Sequence, residues 1–413
     1  MDDQVLVGID IGTTKICTLV ARQEASSRMR VLGVGIEPSQ GLRKGVVVDL
    51  EAAAQAVTRS IEKAEHTSGY EIASALVSLA GSKVSSVNSH GVVGVAGRVV
   101  DQDDVARAVD AARAVNIPHN REVVHVIRRG FDVDGQDGIR MPIGMHGYRL
   151  EVETHIITAT AASVENIRQS VHEAGVEVSQ FVLNPLASGE VVLTETERQM
   201  GVVVCDVGGG TTDMAIYVDG DVWHTAVLAI GGNHITSDIA QGLRLPMSKA
   251  EEIKIRHGHA DERKVEATQF FSVNSFGEQD PIQISHKDLV HIISARVEEI
   301  FSLVVQEIKR SGYDGLLPAG LVLTGGSSSL PGMRTVASKV MGVPVRNAQP
   351  DSLIGMVDRI NSPAFSTSVG LLRWGLLMSE IVPQNEYPES RPTPNGNGFN
   401  WDSLKFWLKR LLP

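Results

Sequence analysis

Cysteine is nearly absent: Cys17 and Cys205 are the only two in 413 residues. That excludes a disulfide framework and a cysteine-rich zinc module, and it fits a reducing compartment. Excess basic charge is missing as well. The chain carries 38 Lys and Arg against 49 Asp and Glu, a net −11. A general nucleic-acid binder needs a basic face to neutralise phosphates, so nucleic acid is not an expected partner. No apolar run reaches the length of about 18 residues that a membrane-spanning helix needs. The Met-Asp-Asp-Gln start has neither a basic nor an apolar region, so no secretory signal is expected. Four common signatures are also lacking: a GxxxxGK(S/T) loop, a complete GxGxxG, HExxH and GxSxG. The thirteen histidines are scattered, and His257 and His259, two apart beside a glycine, read as a surface turn rather than a metal pair.

What is present is an ordinary globular composition, 42% apolar and 21% charged, on a chain long enough for about two to three domains. The runs VLVGIDIG (5–12) and ICTLVA (16–21) read as strands. A helix over roughly 51–67 follows, capped by Asp49 and ending near Gly69. Between about 81 and 162 short β-rich runs alternate with one helix. Asp101 caps it, and Ala106, Val109, Ala112 and Val115 space its apolar face. This reads as a small α+β module inserted into a larger domain. From about 163 to 380 the pattern is α/β again. A helix (164–174), the strand FVLNP, a helix near 186–195, the run GVVVCDVGGGTTDMAIYV (201–218), an amphipathic helix (about 286–311) and a buried strand GLVLTGG (320–326) follow in order. Residues 383–398 hold four prolines, two glycines and no aliphatic side chain, and read as a linker.

Two segments echo each other. Asp10-Ile11-Gly12-Thr13-Thr14 parallels Asp206-Val207-Gly208-Gly209-Gly210-Thr211-Thr212, with two extra glycines in the second copy. Each follows an apolar strand and precedes another. Glycines let backbone approach an anion closely, and exposed N–H groups and Thr hydroxyls can donate to phosphate oxygens. Aspartates beside phosphate are suited to holding a hydrated Mg²⁺. Two such loops from opposite sides would clamp a triphosphate; a bare hairpin needs neither three glycines nor a matched aspartate. Gly325 and Gly326 follow a buried strand and would give a flat surface for a base or ribose. Gly231-Gly232-Asn233-His234 is again strand to helix, and its helix N-terminus would face the terminal phosphate.

The end of the chain has its own pattern. On a helix, Trp401, Leu404, Trp407, Leu408, Leu411 and Leu412 share one arc, with Asp402, Lys405, Lys409 and Arg410 opposite and Asn400 as cap. Such a helix is about 18 Å long, too short to cross a bilayer of ~30 Å. It is expected to lie in an anionic membrane surface, bound reversibly as one copy and firmly as many. Docking on a partner groove or on the protein's own core is the alternative.

The segments GIDIGTTKI (8–16), DVGGGTTDM (206–214) and LTGGSSSLPGM (323–333) resemble the phosphate-1, phosphate-2 and adenosine motifs of the actin/Hsp70/hexokinase ATPase superfamily. AFSTSVGLL (364–372) resembles its second connecting helix, with Gly370 at the interdomain hinge. AEEIKIRHG (250–258) resembles the adenosine-side helix of bacterial actin relatives. Within the superfamily the chain is most similar to the FtsA family of bacterial cell-division actin homologues. The motif order, the insert at 81–162, NPLASGEVVLTE (184–195) and the linker-plus-helix ending carry that resemblance.

The resemblance implies an α/β, two-lobed actin-like ATPase fold with an inserted α+β subdomain and a C-terminal amphipathic helix on a flexible linker. Subdomain 1A would take 1–80, 163–198 and 349–382, and 1C would take 81–162. Subdomain 2A would take 199–242 and 312–348, 2B 243–311, the linker 383–398 and the membrane helix 399–413. ATP with Mg²⁺ would lie against Gly12, Thr13, Thr14, Lys15, Gly208, Gly209, Gly210, Thr211, Gly231, Gly232, Gly325, Gly326 and Ser327. Glu251 and Lys254 would stand by base and ribose, and Asp10 and Asp206 would hold the metal through water. The family's role implies a peripheral protein at the division site, on the cytoplasmic side of the membrane. It would polymerise, bind the FtsZ C-terminal tail on 2B and contact later division proteins through 1C. Asn184-Pro185 stands where some relatives carry a glutamate or glutamine; an amide is a poor base, so binding is better supported than fast hydrolysis. A small-molecule kinase of this fold would need a catalytic base that the sequence does not nominate, and an actin-like pilus-assembly scaffold is the nearest structural rival.

Overall fold

The computed structural model describes residues 5–24, 28–81, 83–266, 269–273, 282–351 and 353–381; the expected linker (383–398) and amphipathic helix (399–413) lie outside them. In chain order, the first part comprises β1 (Val5–Ile11), β2 (Lys15–Gln23), β3 (Met29–Pro38), a ribbon of β4 (Leu42–Arg43) and β5 (Val46–Val47), α1 (Leu50–Ser68) and β6 (Ser74–Leu79). Then come β7 (Ser85–Val99), α2 (Gln102–Arg113), β8 (Arg121–Val133), β9 (Gln136–Ile139) and β10 (His146–Thr160). They are followed by α3 (Ala161–His172), β11 (Glu177–Leu183), α4 (Asn184–Val192) and α5 (Glu195–Met200). The next part holds β12 (Val202–Val207), β13 (Thr212–Val218), β14 (Asp221–Leu228), α6 (Gly232–Gly242), α7 (Met247–His257), β15 (Phe270–Val273), β16 (Ile282–Ser285) and α8 (His286–Ser311). The described chain closes with β17 (Leu321–Thr324), α9 (Met333–Met341), β18 (Val345–Asn347), β19 (Leu353–Gly355) and α10 (Ser366–Ile381).

The echo seen in the sequence extends to whole sheets. One sheet has the order β11-β6-β1-β2-β3-β19 and the other β14-β13-β12-β17-β18. In each, an antiparallel hairpin (β1–β2, β12–β13) continues to a third antiparallel strand and pairs on its other side with a parallel strand (β6, β17). The central strands are buried on both faces, as sheets covered by helices on both sides must be. Val203 and Cys205 of β12 point into a core with α8 and α9, while Val202 and Val204 face α4 and α10. On the first sheet, α1 and α3 cover one face. Helices α4 and α10 therefore lie between the two sheets. They cross closely: a Cβ on Gly370 of α10 would collide with the Ala187 carbonyl of α4.

Local chemistry explains most boundaries. Asp49 accepts the N–H of Ala52 at the start of α1, and Gly69 ends it with φ +74°. α8 begins where Ser285 accepts the N–H of Asp288. α4 starts at Asn184, with Pro185 in its first turn where no N–H is needed, so Asn-Pro opens the helix rather than closing the strand. It stops at Val192, and Thr194 and Glu197 form a reciprocal capping box that starts α5, a separate helix rather than a run to 195.

The insert is a four-stranded sheet, β7-β10-β8-β9, with α2 on one face. The apolar face of α2 is Val105, Ala108, Val109 and Ala112; Ala106 is only half-buried and Val115 lies beyond the helix end at Arg113. The expected face was thus displaced by one position at its start. The insert also rests on the second lobe. Ser86 Oγ donates to Thr225 O (3.0 Å), and His155 Nε2 bonds Thr225 Oγ1 (2.9 Å) while its Nδ1 bonds Asn88 Oδ1 (2.7 Å). Burial pushes His155 down to about 3, so it is neutral there.

Candidate functional site

The two hairpin turns are built alike. Gly12 N–H donates to Lys15 O (3.0 Å), and Gly208 N–H donates to Thr211 O (2.9 Å). Ile11 pairs Ile16, and Val207 pairs Thr212, so both turns hold four residues. The second copy therefore contains no insertion, contrary to the expected two extra glycines. Gly209 and Gly210 occupy the places of Thr13 and Thr14, and Thr211 that of Lys15. The reason is steric. The turns meet tip to tip, and a Cβ on Gly209 would strike Thr14 Oγ1 while one on Gly210 would strike Thr13 Oγ1. One turn supplies hydroxyls, and the other must leave room for them.

Around these turns lies a cavity of about 360 Å³. It is lined from the first lobe by Asp10, Gly12, Thr13, Thr14 and Lys15, and from the second by Asp206, Gly208, Gly209, Gly210, Thr211, Gly232, Glu251, Lys254, Gly326 and Ser327. Two expected residues lie behind the wall instead. Gly325, at φ +86°, lets β17 pass so close to Asp206 that a Cβ would meet the Val207 backbone. Gly231 backs the Gly208–Gly209 backbone in the same way. Nor is the N-terminus of α6 open to a phosphate. Gly232 N–H donates to Gly208 O (2.9 Å) and Asn233 N–H to Gly209 O (2.8 Å), so these donors hold the turn.

On the cavity wall, Lys254 Nζ pairs with Glu251 (2.7 Å) and donates to Thr236 Oγ1 (2.9 Å) and Gly232 O (3.2 Å). Ile235, Ile255, Leu330 and Pro331 add apolar surface beside this polar cluster. The Lys15 ammonium donates to Ala364 O and sits 4.4 Å from the Phe365 ring centroid.

The aspartates are held from below by α10. Thr367 Oγ1 donates to Asp206 Oδ2 (2.8 Å), and Ser368 Oγ donates to Asp10 Oδ2 (2.7 Å). Ser78 Oγ adds a bond to Asp10 Oδ1 (3.0 Å). Burial pushes the Asp206 carboxyl up to about 6, partly offset by the Thr367 bond. Asp213, opposite Asp206 in the hairpin, is pushed well up by burial and by the neighbouring carboxylate. Asp213 Oδ1 and Asn184 Oδ1 are buried without a hydrogen-bond partner, and both residues line the cavity.

Asp213, Thr367, Ser368 and Ser78 were not among the expected site residues. The hairpin echo could not have shown the first, since the position facing Asp10 is Cys17 while the one facing Asp206 is Asp213. Away from the site, His257 stacks on Phe271 (4.4 Å between centroids) and His259 Nδ1 accepts the Asp261 N–H (2.9 Å).

Comparison with known proteins follows the same lines. The family described as "Cell division protein FtsA" matches residues 203–370, and "SHS2 domain inserted in FTSA" matches residues 81–158. The cell division protein FtsA of Pseudomonas aeruginosa is 42% identical over 394 residues, 94% of each chain. That of Escherichia coli K12 is 37% identical over 417 residues, covering 99% of this chain and 97% of its own. In fold, the chain resembles a solved PilM–PilN type IV pilus biogenesis complex (TM-score 0.64, 16% identity, 90% of this chain and 98% of that one). It also resembles MreB5 of Spiroplasma citri bound to ADP (TM-score 0.53, 15% identity, 89% and 94%). Mirrored hairpins, an SHS2 insert and 37–42% identity to FtsA relatives over nearly the full length converge: on an actin-like ATPase fold, the chain belongs to the FtsA family of cell-division proteins.

Proposed function

We propose that this cell-division protein binds Mg²⁺-ATP between its lobes, polymerises, and tethers FtsZ filaments to the cytoplasmic face of the membrane at the division site. One observation carries the nucleotide part. Asp10 and Asp206, from different lobes, line one cavity together with two glycine- and threonine-bearing turns. Thr13 and Thr14 offer hydroxyls for phosphate oxygens, Lys15 a cation, and Glu251 and Lys254 a polar cluster for base and ribose, while Thr211 Oγ1 donates to Asp213 Oδ2 (3.0 Å) and leaves its backbone N–H for the ligand.

The residues also fit Mg²⁺. Around Asp206 the donors are all oxygens, and two of them, Asp213 Oδ1 and Asn184 Oδ1, are buried and unpartnered. Such a set suits a hard cation. Among the described residues no cluster of three or more His, Cys, Asp or Glu is placed to hold a bare ion. Asp10 and Asp206 would therefore hold it through water and the nucleotide. When bound, the ion neutralises charge on the phosphates. Asn184 offers only an amide to a water at this point, which supports slow hydrolysis.

The division into subdomains 1A, 1C, 2A and 2B is proposed with the boundaries given above. On it, 2B (243–311) receives the FtsZ tail, and 1C (81–162) serves self-association and later division proteins. The apolar and basic faces of 401–412 supply the membrane contact. The nucleotide reading is tested by titration with a fluorescent ATP in Mg²⁺. Asp206→Ala is expected to abolish binding while the far-ultraviolet spectrum stays unchanged; unaltered affinity would remove the two-lobe clamp.

A further inference from the structure

Three consecutive hydroxyls open α10, and each reaches a different strand end. Ser366 Oγ bonds Thr324 Oγ1 (2.6 Å) on β17, Thr367 bonds Asp206 on β12, and Ser368 bonds Asp10 on β1. All three are buried, at 0%, 5% and 0% exposure. Hydroxyls in the first turn of a helix ordinarily cap it or face water. Here they leave an otherwise apolar helix, STSVGLL, with polar groups in its buried first turn. Their partners are far away in sequence, 161 residues for Thr367 and 358 for Ser368. Packing alone calls for neither contact, since Ala or Val would fill a buried helix face without a polar group to satisfy.

The geometry points to Thr367 and Ser368 as positioning residues: adjacent side chains of one helix turn set the orientation of both aspartates, one in each lobe. The inference rests on the nucleotide reading and deepens it. A carboxylate offers several acceptor directions. With Oδ2 of each aspartate held by α10, rotation about the last side-chain bond is restrained, and the remaining acceptor capacity is presented in a fixed direction. Because the two hydroxyls are neighbours on one rigid turn, the carboxylates cannot be reoriented independently without breaking one of these bonds. The metal-dependent part of nucleotide binding is then sensitive to the position of α10, whereas contacts to base and ribose are not.

The test compares Thr367→Val, Ser368→Ala and Thr367→Ser with the unmodified full chain. Affinity for a fluorescent ATP is measured once in Mg²⁺ and once in EDTA, with thermal melting of each variant. Loss of a group that orients a metal-binding side chain typically weakens metal affinity about 10–100-fold. Thr367→Val is expected to lower affinity at least about ten-fold in Mg²⁺ and less than about two-fold in EDTA. Ser368→Ala should do the same more weakly, because Ser78 still holds Asp10. Thr367→Ser should recover most of the loss, since it keeps the hydroxyl. Equal losses with and without Mg²⁺, no loss at all, or failure of the Ser variant to recover would each overturn the assignment. A full chain that binds no nucleotide in Mg²⁺ would overturn the nucleotide reading and this inference with it. Normal binding by the full chain with an unaffected Val variant would overturn this inference alone.

Discussion

Arg346 on β18 grips Glu197 of α5 with both arms of its guanidinium, Nε to Oε1 at 2.5 Å and Nη2 to Oε2 at 2.7 Å. Burial works to raise the Glu197 carboxyl, but Arg346 and the capping bonds from Thr194 outweigh it and hold it at about 2, from an ordinary 4.5. A carboxyl depressed by folding stabilises the fold above its ordinary value, and that contribution is lost as pH falls toward the folded value. Arg346→Met should therefore lower stability at neutral pH by about 1–3 kcal/mol. The gap to the unmodified protein should narrow once pH drops below ~4.5, as read from urea midpoints across a pH series. A gap independent of pH would mean that Arg346 acts through its packing and its bond to Val192 O instead. This pair could not be seen in the sequence, because nothing at position 346 signals a partner at 197. The same holds for Thr367 and Ser368, whose hydroxyls look like an ordinary helix start until the fold brings strand ends from both lobes beneath them. By contrast, Asp10 and Asp206 were legible, because each ends a buried strand and precedes a glycine turn.

End signals in the sequence locate their elements closely. α1 lies between Asp49 and Gly69, and α8 occupies 286–311 as its apolar spacing required. α2 shows the limit of spacing on an alanine-rich helix. Ala106 and Ala108 carry nearly equal hydrophobic signal, and only contact with β7 and β10 decides which is inside. The second glycine turn is shorter than its letters suggest for a similar reason: matching letters align Thr with Thr, whereas strand register aligns Thr13 and Thr14 with glycines. The crossing of α4 and α10 is the element contact with the least slack. Gly370→Ala would press a methyl into the Ala187 carbonyl, and overpacking of this kind costs about 1–3 kcal/mol. The expected result is a melting temperature lower by roughly 2–6 °C in calorimetry. If α4 and α10 can part without cost, the melting temperature will not move.

For the whole molecule, the proposed membrane contact is what would separate a tether from a filament former that stays in solution. Co-sedimentation with anionic liposomes is expected to pellet the full chain and to leave a chain ending at Val382 in the supernatant. Equal behaviour of the two would sink the tether, and recovery in high salt alone would assign the contact chiefly to Lys405, Lys409 and Arg410. The two-lobed build also has a practical side. Cys17 and Cys205 lie within the cores of the two halves at 0% exposure, and burial pushes the Cys17 thiol up to about 12 and raises Cys205 too. Thiols so placed are poor nucleophiles for maleimide reagents. Dye pairs could be attached through engineered surface cysteines, one per lobe, without first removing the native ones, and the distance between the lobes with and without nucleotide could be read in the otherwise unaltered polypeptide.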